Sequence, residues 1–297
     1  YYDFAGESYK ERVISENIIS LASLKSTGKI VKENRSASLI DLGDDVFCLE
    51  LHTKMNSLNR EITEFLPEVL ATVDAKAAGL VIGNQAGGMP GAFSAGANLM
   101  DVALAVKENR FADLEKMLAG LQYGLLNLRY APFPVVAAPF GLALGGGCEL
   151  CLASDRIVAH AELYMGQVEI GVGLLPAGGG CLNLWRKFIE SVPAAVTDLD
   201  LAKFFIPVFM SIAMAKVSMS AAEARANGFL GPNDRIVFNR DHLIGEAKKE
   251  ALKMLDDGYA PPVKGRIKVL GQAAQGMVAA QISDIANGGF VSEYDAF

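Results

Sequence analysis

The sequence predicts an α/β fold, and three observations carry that prediction. Apolar strand-like runs alternate with amphipathic helical runs through the first two thirds of the chain; glycine-rich loops follow several of those strands; and beyond residue 191 the pattern becomes mostly helical. The whole chain permits such a core: 297 residues, 51% hydrophobic and 21% charged, describe a well-packed globular protein of one large or two modest domains.

In order along the chain, residues 9–25 (YKERVISENIISLASLK) have helical spacing, and the polar STGKIVKENRSAS after them suits a linker. DDVFCLELH at 44–52 alternates as a half-buried strand does. SLNREITEFLPEVLATVDA then predicts a helix with Ser57 or Asn59 at its start. AGLVIGNQ from 78 predicts an inner strand, followed by the glycine-rich loop AGGMPGAFSAGANL. A long amphipathic helix is expected over about 109–130, and FPVVAAPFG is the next buried strand. SAAEARANGF carries Ser220 three residues before Glu223, a capping-box spacing, with Gly228 as its stop. Further helices are predicted over 241–257 and 267–287. The chain thus divides into a flanking segment 1–36, a core 37–190 and a helical portion 191–297.

Charge and composition exclude several function classes. A formal charge of −7 leaves no basic footprint for nucleic acid or an anionic membrane. The first residues have neither the basic nor the apolar region of a secretory signal, and no apolar run approaches the roughly 18 to 20 residues of a spanning helix, so a cytoplasmic chain is expected. Cys48, Cys148, Cys151 and Cys181 lie among apolar or small residues and are expected as buried thiols; Cys148 and Cys151 form C-x-x-C, but no second pair or nearby histidine completes a metal set.

The chemistry concentrates in GLALGGGCELCLASD, residues 141–155. Three glycines between a buried strand and a helical pattern let backbone approach a ligand closely and leave N–H groups unpaired at a helix start. Two such donors aimed at a developing oxyanion are worth roughly 3 to 4 kcal/mol each in a water-poor pocket. FSAGAN at 93–98 offers the second donor. Glu149 follows the glycines in the first helical turn, where the helix dipole favours its charge. Glu169 recurs 20 residues later in YMGQVEIGVGLLPAGGG, and two carboxylates in glycine-walled apolar loops suit acid and base work with coupled titration. A glycine run is also what close packing needs, and a first-turn glutamate also serves as a cap, so the residues alone leave both readings open. There is no G-x-S-x-G, His52, His160 and His242 have no evident nucleophile partner, and GVGLLP lacks the third glycine of a dinucleotide fingerprint. His160 is expected at a strand end.

From about 45 to 190, through FSAGANL, GLALGGGCELCLASDRIVA and YMGQVEIGVGLLPAGGG, the sequence resembles the crotonase (enoyl-CoA hydratase/isomerase) superfamily. The resemblance implies a spiral of ββα turns, a helical C-terminal region that often makes oligomer contacts, and an acyl-CoA thioester as substrate. It implies that Ala95 and Gly146 donate the oxyanion-hole N–H groups, that Glu149 activates water and Glu169 delivers a proton, and that Ser94, Gly96, Ala97, Gly145 and Ala177 adjoin the substrate. The implied reaction is hydration of a trans-2-enoyl-CoA in fatty-acid β-oxidation, without metal or redox cofactor; the alternatives are a Δ3,Δ2-enoyl-CoA isomerase, although relatives that only shift a double bond usually lack the carboxylate at Glu149, and a non-catalytic acyl-CoA-binding module of a multienzyme. Asn98 and Ala177 depart from the family's Asp and Gly. The flanks YYDF, KENRSASLIDLGDDV and GYAPPVKGRIKVLG resemble fused enzymes in which a 3-hydroxyacyl-CoA dehydrogenase precedes the hydratase. That resemblance implies a covalently linked dehydrogenase domain, to which NAD would belong, with residues 1–36 as its tail and linker. A homo-oligomer is a further expectation. The stretch from Val192 to Ser220, rich in Met and Phe, suits either packing or the border of an acyl-chain tunnel.

Overall fold

The computed structural model describes residues 2–9, 17–85, 91–190, 192–193, 195–196 and 198–296. A short antiparallel pair, β1 (Tyr2–Asp3) and β2 (Ser8–Tyr9), precedes α1 (Leu21–Ser26). Of the helix expected over 9–25, the described residues show α1, which the Ser20 hydroxyl caps by accepting the Ser23 N–H and which extends to Ser26; residues 10–16 lie outside those described.

The presumed linker is partly a strand. β3 (Ile30–Glu33) pairs antiparallel with β4 (Ala37–Asp41), the Asn34 side chain closing the turn by accepting the Ser36 and Ala37 N–H groups. β5 (Val46–Leu51) continues the sheet and is buried at all six positions, not half-buried: one face meets α2 and the other meets the C-terminal part of the chain. Glu50 can stand in this strand because Lys25 Nζ pairs with it at 2.5 Å. Asn59 caps α2 (Arg60–Lys76), its side chain accepting the Ile62 N–H. β6 (Gly79–Gly83) and β7 (Ala92–Ser94) flank the loop whose residues 86–90 lie outside the described set. α3 (Leu99–Lys107), not anticipated from the sequence, begins at Asn98, whose side chain accepts the Met100 N–H; α4 (Phe111–Arg129) matches its expectation.

β8 (Val135–Ala138) and β9 (Gly141–Leu144) lead into α5 (Gly146–Ala153), and β10 (Arg156–His160) and β11 (Leu163–Gly166) follow. Successive strands enter different sheets. β6, β8 and β10 lie in a seven-stranded sheet of order β12-β10-β8-β6-β5-β4-β3, where β12 is Arg235–Val237, whereas β7, β9 and β11 form a parallel three-stranded sheet. This alternation is the spiral of ββα turns.

After α6 (Gly180–Ile189), α7 (Ala202–Ala213) occupies the Met- and Phe-rich stretch, α8 (Ala221–Ala226) is capped by Ser220 at Glu223 N–H, and α9 (Leu243–Asp256), α10 (Gln272–Asn287) and α11 (Glu293–Ala296) complete the chain. The C-terminal portion also supplies sheet: β12 pairs parallel with β10, and Leu243, Ile244, Ala247 and Ala251 of α9 cover Val81, Val136 and Val158. At roughly 1.5 to 3 kcal/mol per buried Val, Leu or Ile side chain, this burial secures α9 far more firmly than its surface ion pairs do. Asp234 joins the two regions, accepting the Ile157 and Gly231 N–H groups and pairing with Lys187 at 2.9 Å. His160 ends β10, as expected, and its Nε2 donates to the Phe238 carbonyl at 3.2 Å.

Cys48, Cys148 and Cys151 are buried free thiols, held protonated by burial, but Cys181 is exposed, since the second position of α6 faces a cavity rather than the sheet. No described helix is long and apolar enough to cross a membrane.

Candidate active site

The strand β9 ends at Leu144, and Gly145 turns the chain with φ 52° and ψ −124° into α5. An L side chain rarely adopts that conformation, and a Cβ there would stand 3.1 Å from Glu169 Oε1. All eight residues of α5 are buried, which places Glu149 in the interior at 2% exposure. Its Oε1 accepts the Gly180 N–H at 2.8 Å, and Oε2 lies so close to Gly178 that a Cβ there would approach it to 2.5 Å. Burial, followed by the charge of Glu169, pushes the Glu149 carboxyl up to about 7, while the Gly180, Gly178 and Gly179 N–H groups pull it down. The carboxyl is therefore poised to take and return a proton near neutrality.

Glu169 opens a short 3-10 turn, Glu169–Val172, directly after β11. Burial raises its pKa, and among the described residues its Oε2 has no hydrogen-bond partner. A buried oxygen without a protein partner is available to a bound molecule. Glu149 and Glu169 line one cavity of about 540 Å³, together with Gly145, Gly146, Gly96, Ala97 and Leu121. Ala177 borders it as well, and the Gln122 amide holds its carbonyl at 2.7 Å, tying the 177–180 loop to α4.

The opposite rim is the 95–98 segment. It is pinned to Leu58 by two backbone bonds, Leu58 N–H to the Gly96 carbonyl at 2.8 Å and Asn98 N–H to the Leu58 carbonyl at 2.9 Å. The structure changes one expected donor. Ala95 N–H donates to the Met55 carbonyl at 3.1 Å, so it is occupied within the fold. Ala97, two residues on, lines the cavity: among the described residues neither Ala97 N–H nor Gly146 N–H has a partner, and a Cβ on Gly146 would lie 3.5 Å from Ala97 N. These two adjacent free donors form the better pair for an oxyanion. The sequence held no signal for this, because which amide of SAGAN is consumed depends on Met55, some forty residues earlier.

Ser94 is also displaced from its expected place. It is fully buried behind the rim, its hydroxyl accepting the Gly96 N–H at 3.2 Å and its backbone packed against Gly147. Gly96, Ala97, Gly145 and Ala177 do line the cavity. Asn98 acts on the helix rather than on the cavity, its amide donating to Asp101 at 2.9 Å. Tyr294 of α11 reaches the cavity mouth, a residue that the sequence alone gave no reason to single out.

Residues 44–196 match the enoyl-CoA hydratase/isomerase family. A probable 3-hydroxyacyl-CoA dehydrogenase of Bacillus subtilis is 40% identical over 297 residues, 99% of this chain and 36% of the relative. The chain thus spans about a third of that relative's length, and a quarter of a Rickettsia felis putative fatty acid oxidation complex trifunctional enzyme, 35% identical over 184 residues and 62% of this chain. A probable enoyl-CoA hydratase of Rhizobium meliloti is 35% identical over 202 residues, with 67% of each chain covered. Among solved structures, an enoyl-CoA hydratase from Bacillus anthracis superposes with a TM-score of 0.62 at 22% identity, covering 88% of this chain and 86% of that one, which shows the shared fold. The match to both the sequence family and its spiral architecture places this chain in the enoyl-CoA hydratase/isomerase family.

Proposed function

We propose that this chain hydrates trans-2-enoyl-CoA thioesters to 3-hydroxyacyl-CoA. The observation that carries the reading is one cavity lined by the buried carboxylate of Glu149 and the half-buried carboxylate of Glu169, on which the Ala97 and Gly146 N–H groups have no partner among the described residues. With the thioester oxygen on those donors, electrons of the C2=C3 bond are drawn toward the carbonyl. Glu149, ionised, orients a water and takes its proton as the water oxygen bonds to C3; protonated Glu169 gives its proton to C2 as the enolate collapses. Atoms and charge balance over the step, one proton entering and one leaving the carboxylate pair. A double-bond shift needs only one of these carboxylates, which favours hydration over isomerisation.

Similarity to a relative named as a dehydrogenase, of which this chain spans 36%, supports a second element of the proposal: the chain works in fusion with a 3-hydroxyacyl-CoA dehydrogenase domain that oxidises its product with NAD. The deciding experiment is loss of the conjugated-thioester absorbance of crotonyl-CoA on adding the chain, with Glu149→Gln as control. Glutamate-dependent loss supports hydration. Absorbance that stays constant while the thioester binds refutes it, and conversion of a 3-enoyl-CoA instead identifies an isomerase.

A further inference from the structure

A second cavity, of about 660 Å³, lies on the other side of the Glu169 turn. Its walls come from α6, α7, α10 and the 269–271 segment, and no charged or amide side chain lines it among the described residues. Trp185 is its fixed point: the indole N–H donates to the Lys268 carbonyl at 2.9 Å, Phe205 meets the ring edge-on at 6.1 Å, and Phe209 stacks on Phe205 at 6.0 Å. This wall is preorganised and apolar, and the volume is that of a ligand site.

The two cavities adjoin. Leu175 lines both; Ile170, next to Glu169, faces the second; and α11 contributes Tyr294 to one and Ala296 to the other. The 170–175 segment borders both cavities and includes Gly171 and Gly173, the latter in the left-handed region at φ 74°. A nucleotide or pantetheine arm would leave its polar atoms unpaired in such a lining, whereas a hydrocarbon would not.

From this adjacency we infer that the second cavity receives the distal part of a long acyl chain, passing Leu175 from the catalytic cavity, so that the substrates are long-chain thioesters. The inference rests on the hydratase reading for the identity of the head group. Each methylene moved from water into the cavity favours binding roughly fourfold, so affinity climbs with chain length until the cavity is full.

Trp185 is the chain's single tryptophan, which gives a readout independent of turnover. Titrating the protein with hexadecanoyl-CoA and with butyryl-CoA should change Trp185 emission for the long thioester and leave it unchanged for the short one, with at least tenfold tighter binding of the long one. Ala213→Phe and Ala274→Phe, which narrow only the second cavity, should leave crotonyl-CoA hydration intact and lower kcat/KM for a 2-hexadecenoyl thioester by tenfold or more. Equal Trp185 responses to both thioesters, or an unchanged chain-length profile in both folded variants, would overturn the inference. So would conversion of a larger assembly into single chains by these variants with the profile unaltered, since the occupant is then a second copy. Should crotonyl-CoA not be hydrated at all, the hydratase reading fails, while the Trp185 titration with saturated thioesters still decides the cavity.

Discussion

Glu149 Oε1 and the Gly180 N–H, 31 residues apart in the chain, meet at 2.8 Å at the junction of α5 and α6. This bond holds the carboxylate against the glycine loop and leaves Oε2 toward Gly178 and the cavity. A proton acceptor fixed in that manner is positioned before substrate arrives.

Glu149→Gln keeps the bond to Gly180 but cannot take a proton. Hydration should fall by roughly 10²- to 10⁴-fold, the usual worth of a placed general acid or base, with thioester binding changed little. Glu169→Gln should behave alike. Steady-state hydration and equilibrium binding of a saturated thioester measure the two parts separately, and near-wild-type turnover in either variant removes that residue from the reaction.

The raised Glu149 carboxyl also has a stability signature. Between pH 4.5 and about 7 the folded chain retains a proton that the unfolded chain has released, so its stability falls as pH rises through that window. The difference amounts to about 3 kcal/mol above pH 7. Glu149→Gln lacks it. The Tm of the variant relative to wild type should therefore rise from pH 5 to pH 8 by on the order of 5 to 10 °C. A Tm difference independent of pH would contradict the burial assigned to this group.

On the acid side, kcat/KM should increase by up to ~tenfold per pH unit as the water-activating Glu149 carboxyl ionises toward pH 7, and it should fall again at higher pH as the proton that Glu169 delivers is lost. A profile flat from pH 5 to 8 would place the essential base elsewhere.

Gly178→Ala would bring a Cβ to 2.5 Å from Glu149 Oε2, which the fixed backbone cannot relieve without moving the carboxylate. A displacement of this size should cost about 10²-fold in hydration while the fold survives. Circular dichroism with turnover tests it: equal activity would mean that the loop yields freely.

Away from the site, Tyr259 donates its hydroxyl to Asp155 Oδ2 at 3.1 Å, and Asp155 also accepts the Val135 N–H at 2.8 Å. Burial pushes Asp155 up to about 6, so each donor matters to it. Tyr259→Phe should lower unfolding free energy by about 1 to 2 kcal/mol in urea denaturation without altering kcat. An unchanged midpoint would show that the hydroxyl contributes nothing.

Much was legible where the signal is local. Asn59 before an amphipathic run, Ser220 three residues before Glu223, and unbroken apolar runs such as Gly79–Gly83 mark their elements because caps and side-chain periodicity act within a few residues. Other elements depended on distant partners. β3 is a strand because β4 pairs with it, and β12 because β10 does; neither pairing leaves a mark in the polar segments themselves. β5 alternates in sequence yet is buried on both faces, since α9 covers a side that the pattern assigned to water.

The sequence by itself determined which groups can do the chemistry: two glutamates, each beside glycines, and the amides of two glycine-rich loops. Only the tertiary structure decided how they are used. It brought Glu149 and Glu169 to one cavity and withdrew water from both, consumed Ala95 N–H at Met55 while leaving Ala97 N–H free, and set Ser94 behind the rim. A residue's chemical type is intrinsic, but its proton affinity and its free hydrogen-bonding capacity depend on neighbours that lie far along the chain.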